Sequence, residues 1–279
     1  MKIIALCGAF LCCTALLFAQ KTINGRVLDS ANGEALAYVS IGIQGTPTGT
    51  VSGPDGRFVL EIPDNQGGKV QFSLIGFANR TMLVSDLLSS GEQPQVRLEP
   101  TVLAIREVTI RPDLTRKEVL GKEKMRARMV VNFALEGKIN QNLGSEIGRR
   151  FKTHQPSQLV KFSFYIADNN FDTARFRINI YDLKRGEPGD NLLTDNIIVT
   201  VAGKSKGWVT VDLAPYDMRV DQPIAVGVEW IYGSPGGTVL SLPIAMPVGG
   251  SKHFYKYGSR NKWKSFALMS AAMSLEVRQ

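Results

Sequence analysis

Cysteine is confined to the first thirteen residues of this 279-residue sequence, at Cys7, Cys12 and Cys13. Beyond them no disulfide, thiolate metal site or cysteine nucleophile is available. Histidine is nearly as scarce. His154 and His253 belong to neither an HExxH nor a His-x-x-x-His spacing, so zinc has no support here and each reads as a loop or surface residue. A Gly-x-Ser-x-Gly elbow, a Walker loop and a Gly-x-Gly-x-x-Gly turn are all missing. A triad built from distant residues would leave no such trace, yet nothing in the sequence names a reaction. The expectation is a protein that is not an enzyme. Without disulfides, its stability rests on apolar burial, and 44% hydrophobic residues can supply it in one or two domains.

A long hydrophobic run occurs once, in MKIIALCGAFLCCTALLFAQ. One basic residue, Lys2, precedes an apolar stretch from Ile3 to Phe18, and Ala19-Gln20 follow, the pattern of a signal peptide cleaved near Gln20–Lys21. The run falls short of the roughly 20 apolar residues that span a bilayer. Residues Ala9-Phe10-Leu11 before Cys12, and Phe10-Leu11-Cys12 before Cys13, fit a lipid-anchor site poorly. The expectation is therefore an exported protein, periplasmic, outer-membrane-associated or at the cell surface, with no transmembrane helix after cleavage. The net charge of +8 admits anionic partners such as acidic glycans, lipopolysaccharide or nucleic acid, or simply a solvated basic surface. The second reading is preferred, and nucleic acid is not expected as a partner.

From Lys21 to about Leu98 the sequence alternates in short runs (TINGRVLD, LAYVSIGI, GRFVLEIP, KVQFSLIG, QVRLEP) separated by turn clusters. That spacing predicts an antiparallel sandwich. In GRFVLEIP, Phe58, Leu60 and Ile62 fall on one face of the pleat and Arg57, Val59 and Glu61 on the other. SGPDG reads as a tight connection: Pro54 fixes φ, Asp55 bonds back to backbone, and Gly56 accepts positive φ.

The stretches NGRVLDSANGEALAYVSI (24–41), GTPTGTVSGPDGRFVL (45–60) and VQFSLIGF (70–77) resemble the carboxypeptidase regulatory-like domain. This transthyretin-like β-sandwich is frequent in exported proteins of Bacteroidota. Ser52 stands where many relatives carry Asp. The resemblance covers about 80 residues and implies a non-catalytic accessory module.

The character changes from 101 to 143. TVLAIREVTIRP predicts a strand leading outward, and Thr115 with Glu118 fits a capping box opening a basic helix in KEVLGKEKMRARMVVNFAL, weakened by Gly121. That helix reads as an interdomain linker, or as a surface for membranes or anionic partners. From 144 to 279 strands resume, and FSFYIAD and FRINIYD alternate cleanly, with Phe162, Phe164 and Ile166, and Phe176, Ile178 and Ile180, on their apolar faces. The series predicts a jelly-roll-like β-sandwich. ARFRINIYDLKRGEPGDNLL, GWVTVDLAPYDMRV and PIAVGVEWIYG resemble a second domain that follows the regulatory-like module in Bacteroidota envelope proteins, and that fold is also similar to galactose-binding-like and carbohydrate-binding modules. The expected fold is all-β: a signal peptide (1–20), a regulatory-like sandwich (21–100), a linker with a short helix (101–143) and a jelly-roll-like sandwich (144–279).

Two groups of residues stand out as ligand candidates. Oxygen-rich ADNNFD (167–172), together with Asp182, offers Asp168, Asp172 and Asp182 to a structural calcium, although Asp and Asn also simply make turns. No other cofactor is expected. The second group is SKHFYKYGSRNKWKS (251–265), where Tyr255, Tyr257 and Trp263 lie among Lys256, Arg260 and further basic residues. Rings beside polar groups suit a glycan, here an anionic one, or a protein partner. Trp230, among alternating apolar residues, reads as core. The function expected is a non-enzymatic envelope module that contacts a protein partner, with a carbohydrate-binding module as the alternative.

Overall fold

The computed structural model describes residues 21–64, 66–91, 93–101, 114–121, 129–134, 142–153, 155–246 and 248–279. The expected signal peptide, all but the first residue of the outward strand TVLAIREVTIRP (101–112) and His154 lie outside the described residues.

The N-terminal sandwich comprises β1 (Lys21–Asp29), β2 (Ser40–Ile43), β3 (Gly49–Val51), β4 (Arg57–Ile62), β5 (Lys69–Ser73), β6 (Arg80–Leu83), a short helix α1 (Val84–Ser89) and β7 (Gln95–Leu98). One sheet runs β4-β1-β7 and the other β3-β2-β5-β6. Phe58, Leu60 and Ile62 face inward as their alternation requires, meeting Ile23, Val27, Val70, Phe72 and Val96. The sandwich is not wholly antiparallel, because β7 returns beside β1 in parallel. The helical detour through α1 lets it re-enter on the same heading. In the tight turn Asp55 Oδ1 accepts from the Arg57 amide at 3.1 Å and Gly56 takes φ +76°. Ser52, the departure from the family pattern, is buried; its hydroxyl accepts from the Val39 amide and donates to the Leu36 carbonyl, both at 2.8 Å. It pins the chain before β2.

The C-terminal sandwich begins earlier than the sequence suggests. Its strands are β8 (Lys117–Gly121), β9 (Met129–Ala134), β10 (Glu146–Phe151), β11 (Ser157–Ile166), β12 (Asp168–Asn169), β13 (Thr173–Lys184), β14 (Glu187–Asn191) and β15 (Ile197–Ala202). They continue as β16 (Gly207–Asp212), β17 (Arg219–Val220), β18 (Ile224–Gly233), β19 (Leu240–Ala245), β20 (Lys252–Lys256), β21 (Lys264–Ala267), β22 (Ser270–Ala271) and β23 (Met273–Arg278). One large sheet runs β14-β13-β18-β10-β20-β21, with β15 also on β13. Facing it are β16-β11-β23-β8, joined by β17, and β12-β19-β22, joined by β9. Between the layers, Phe164 and Phe133 pack on Phe176 at 5.3 and 5.6 Å, and Phe171 meets the buried Trp230 at 5.4 Å, so Trp230 is core as its pattern implies.

The helix expected from Thr115 does not form where the chain is described: Lys117–Gly121 is a strand hydrogen-bonded to β23, and Met129–Ala134 pairs with β19. Alternation decides this, since Glu118 and Leu120 turn inward while Lys117, Val119 and Gly121 face out, and Leu120 packs on the core. The free edge of β23 supplies ladder partners that a helix would forgo. Much of the expected linker thus belongs to the second sandwich.

Candidate functional site: a polar cavity between the two sandwiches

Alternation along β13 buries Phe176, Ile178 and Ile180 and sends Arg177, Asn179 and Tyr181 to the outer face of the large sheet. Strand register then lines up four charges. Arg177 lies opposite Glu229 on β18, Glu229 opposite Glu146 on β10, and Glu146 opposite Lys256 on β20. The row reads plus, minus, minus, plus across four strands. Its members are buried or nearly so because the N-terminal sandwich sits on this face.

Each carboxylate has its own cation. Arg177 Nη1 donates to Glu229 Oε2 at 3.1 Å, and Lys256 Nζ reaches Glu146 Oε2 at 2.8 Å. The remaining lone pairs are also used. The Ser40 hydroxyl, from β2, donates to Glu229 Oε1 at 2.8 Å; Asn179 Nδ2 bridges both carboxylates at 3.0 and 3.1 Å; the Tyr181 hydroxyl donates to Glu146 at 3.0 Å. Such saturation is what makes buried charge tolerable. Burial pushes the Glu229 carboxyl up, but Arg177, Lys256 and the bonds from Ser40 and Asn179 outweigh it and hold it below the ordinary glutamate range. Burial first, and then Glu146, raise the Tyr181 phenol well above its ordinary value. Tyr181 stays a protonated donor.

Gly227 shapes the floor. A Cβ there would collide with Glu146 Oε1, so the missing side chain lets Glu146 lean toward Asn179 and Tyr181.

Besides Ser40, the N-terminal sandwich meets this face at further points. Tyr38, at φ +58°, offers its carbonyl to Arg177 Nη2 and its hydroxyl to Arg175. The Ser259 hydroxyl donates to the Ile41 carbonyl at 2.7 Å, and the Gly45 amide to the Arg260 carbonyl at 3.0 Å. Asn196 Nδ2 reaches the Ile75 carbonyl at 3.3 Å. Between these contacts a partly open cavity of about 600 Å³ remains. Ser73, Leu74, Ile75 and Phe77 line it from the first sandwich, and Arg177, Asn191, Lys256, Arg260 and Trp263 from the second. This size lies within the usual range of ligand pockets, roughly 300–1,000 Å³.

The structure divides the aromatic-basic candidates. Lys256, Arg260 and Trp263 meet at the cavity, with Lys256 Nζ 4.7 Å from the Trp263 ring centre. Tyr255 turns the other way and packs on the main core, and burial raises its phenol. Tyr257 is half-buried, 6.0 Å from Tyr255. Neither tyrosine lines the cavity. His253, read as a loop or surface residue, is instead buried on β20, because its strand position points between the sheets.

The three calcium candidates go separate ways. Asp168 pairs with Lys206 at 3.0 Å, Asp172 with Lys204 at 3.4 Å, and Asp182 accepts the Asp190 amide at 2.6 Å. Among the described residues no three His, Cys, Asp or Glu side chains group to hold a metal.

Arg177, Asn179, Tyr181, Glu146 and Glu229 are not among the sequence candidates. The polar half of RFRINIY is visible in the alternation; its partners, set by sheet register across distant strands, are not.

The first sandwich has a recognisable relative. Residues 23–110 match the CarboxypepD_reg-like domain. A 65-residue segment, 23% of the chain, is 35% identical to TonB-dependent receptor P3 of Formosa agariphila, and spans 6% of that receptor's length. The CarboxypepD_reg-like domain therefore supplies the cavity wall that carries Ser40, Ser73 and Phe77. Among solved structures, the cysteine protease and lectin-like domains of Cwp84, a surface layer associated protein of Clostridium difficile, align over 54% of this chain and 36% of theirs, at 11% identity and a TM-score of 0.35. A substituted form of the same clostridial cysteine protease, after propeptide cleavage, aligns over 91% of this chain and 61% of its own, at 8% identity and a TM-score of 0.38. No helix among the described residues is long and apolar enough to cross a membrane.

Proposed function

We propose that this chain is an exported, non-enzymatic binding module of a bacterial cell envelope, and that it receives a carbohydrate ligand in the cavity between its two sandwiches. The observation that carries this reading is the convergence of Trp263, Lys256 and Arg260 with hydroxyl- and amide-bearing side chains of both domains around one cavity. Such a lining offers many directional hydrogen bonds to a hydroxyl-rich molecule. Each described carboxylate at the site is held by a cation, Glu229 by Arg177, Glu146 by Lys256 and Asp190 by Lys184, and Glu146 and Glu229 take further donors. A carboxylate locked in this way positions neighbours rather than moving protons. The regulatory-like match and the receptor-related segment support an envelope location.

Screening the purified chain on a glycan array is expected to give hits that disappear in Trp263→Ala and in Ser73→Trp, which fills the cavity from the other wall. Hits that survive both variants, or a blank array, would remove the cavity as a carbohydrate site.

A second reading is contact with an outer-membrane receptor or another envelope protein, favoured by the segment shared with a TonB-dependent receptor. Crosslinking in intact envelopes is expected to return one reproducible partner on this reading; its absence would count against it.

A further inference from the structure

The cations at the cavity are not evenly matched. Arg177 is committed to Glu229 and Lys256 to Glu146, while Asp190 at the rim is paired with Lys184 at 2.5 Å. Arg260 remains. Its stem lies over Gly42, where an added Cβ would sit 3.1 Å from its Cγ, and the residue lines the same cavity. Among the described residues it makes no ion pair, and its buried Nε has no hydrogen-bond partner. Burial lowers its guanidinium from the ordinary value, with Glu229, Tyr181 and Glu146 opposing that trend from a distance. A guanidinium half-withdrawn from water, with donors unspent, is matched by a planar two-oxygen acceptor.

We infer that the ligand is a saccharide carrying a single carboxylate, of the uronic-acid type, and that Arg260 is the residue that receives that carboxylate. The inference rests on the cavity reading above and adds the charge of the ligand to it. One unpaired cation matches one anion. A doubly charged phosphate would need Arg177 or Lys256 to leave a buried carboxylate, exposing it unpaired. The sugar hydroxyls would face the neutral side chains of the remaining wall, Ser73, Asn191, Thr194 and Asn261. Arg260 also touches the first sandwich through its backbone carbonyl, so the charged group would be held at the seam of both domains.

Calorimetric titration of the full chain would compare short oligosaccharides ending in a uronic acid with their neutral hexose counterparts, with inorganic phosphate and with a short peptide carrying a free C-terminus. The acidic sugars are expected to bind about tenfold or more tightly than the neutral ones, the worth of one charged hydrogen-bonded contact. Arg260→Gln should bring them down to the neutral level, and Arg260→Lys, which keeps charge but loses the fork, should fall between. If Arg260→Gln fails to fold, Arg260→Lys alone still decides, by its loss against acidic and not neutral sugars. Equal binding of neutral and acidic sugars overturns the carboxylate assignment while leaving the cavity reading intact. Unchanged acidic binding in both variants overturns Arg260. Equal or tighter binding of phosphate or of the peptide overturns the ligand class. No binding of any sugar overturns this inference and the cavity reading together.

Discussion

At Glu229 two opposing effects meet, and their balance predicts how the protein responds to substitution and to acid. Desolvation favours the neutral acid, but Arg177 and its companions win, so the folded-state pKa lies below the unfolded one. Its contribution is therefore complete above the ordinary glutamate range and is lost as pH falls through the lowered folded value. Glu229→Gln leaves Arg177 buried without its counter-charge and is expected to cost about 3–5 kcal/mol in urea unfolding. The paired replacement Arg177→Met with Glu229→Leu should recover much of that loss, since an apolar pair of similar volume needs no counter-charge. His253 is destabilised by acid in the same direction, but here burial itself is the cause. It is buried with Nδ1 unpartnered, and burial takes its pKa from 6.5 to about 4 against a weaker opposing backbone bond from Gly148. Between those values the unfolded chain binds a proton that the folded one refuses, so stability should fall by about 3 kcal/mol on acidification across the window. His253→Phe should flatten the stability profile between pH 6.5 and 5, where glutamates contribute little; an unchanged slope would refute the assignment.

The strands carry the site because register, not proximity in sequence, joins their residues. Gly227 shows how tightly. Ala in its place would push Glu146 off Asn179 and Tyr181, at an expected cost of about 1–3 kcal/mol in thermal or urea unfolding. The same substitution at Gly67, which has nothing within 4 Å, lacks that collision and serves as the control for the loss of a glycine alone. The apolar half of the fold is legible in the sequence, since Phe58-Leu60-Ile62 and Phe176-Ile178-Ile180 alternate at period two and bury as that period demands. Trp263, Lys256 and Arg260 are legible as an aromatic-basic cluster, but the parting of Lys256 from Tyr255 depends on which side of β20 each emerges, and Arg260 and Trp263 reach the cavity from the connection after it. Lys117–Gly121 reads as helix because its charges suit either form, and the open edge of β23 that settles the matter lies some 150 residues away in sequence. The parallel return of β7 is hidden for a similar reason: strand heading leaves no mark in alternation.

In the whole molecule hydrogen bonds at Ser40, Tyr38, Ser259 and Asn196 join the two sandwiches, and glycine sets how closely they approach. Gly258, at φ +78°, sits so near Pro47 that any side chain would strike the Pro47 carbonyl. Gly258→Val is expected to part the turn after β20 from the β2–β3 turn, raising the radius of gyration in small-angle scattering and abolishing the saccharide binding proposed above, while both cores still unfold cooperatively. An unchanged radius with full binding would show that the seam tolerates the insertion. The contact at Ser40 has a wider consequence. Modules of the regulatory-like kind are candidates for transplantation between proteins, yet a graft onto this second sandwich would have to bring a hydroxyl at position 40 and a left-handed residue at 38. A donor lacking either would leave Arg177 and Glu229 short of partners, so compatibility between modules here depends on particular seam positions of the incoming one as well as on the quality of its own core.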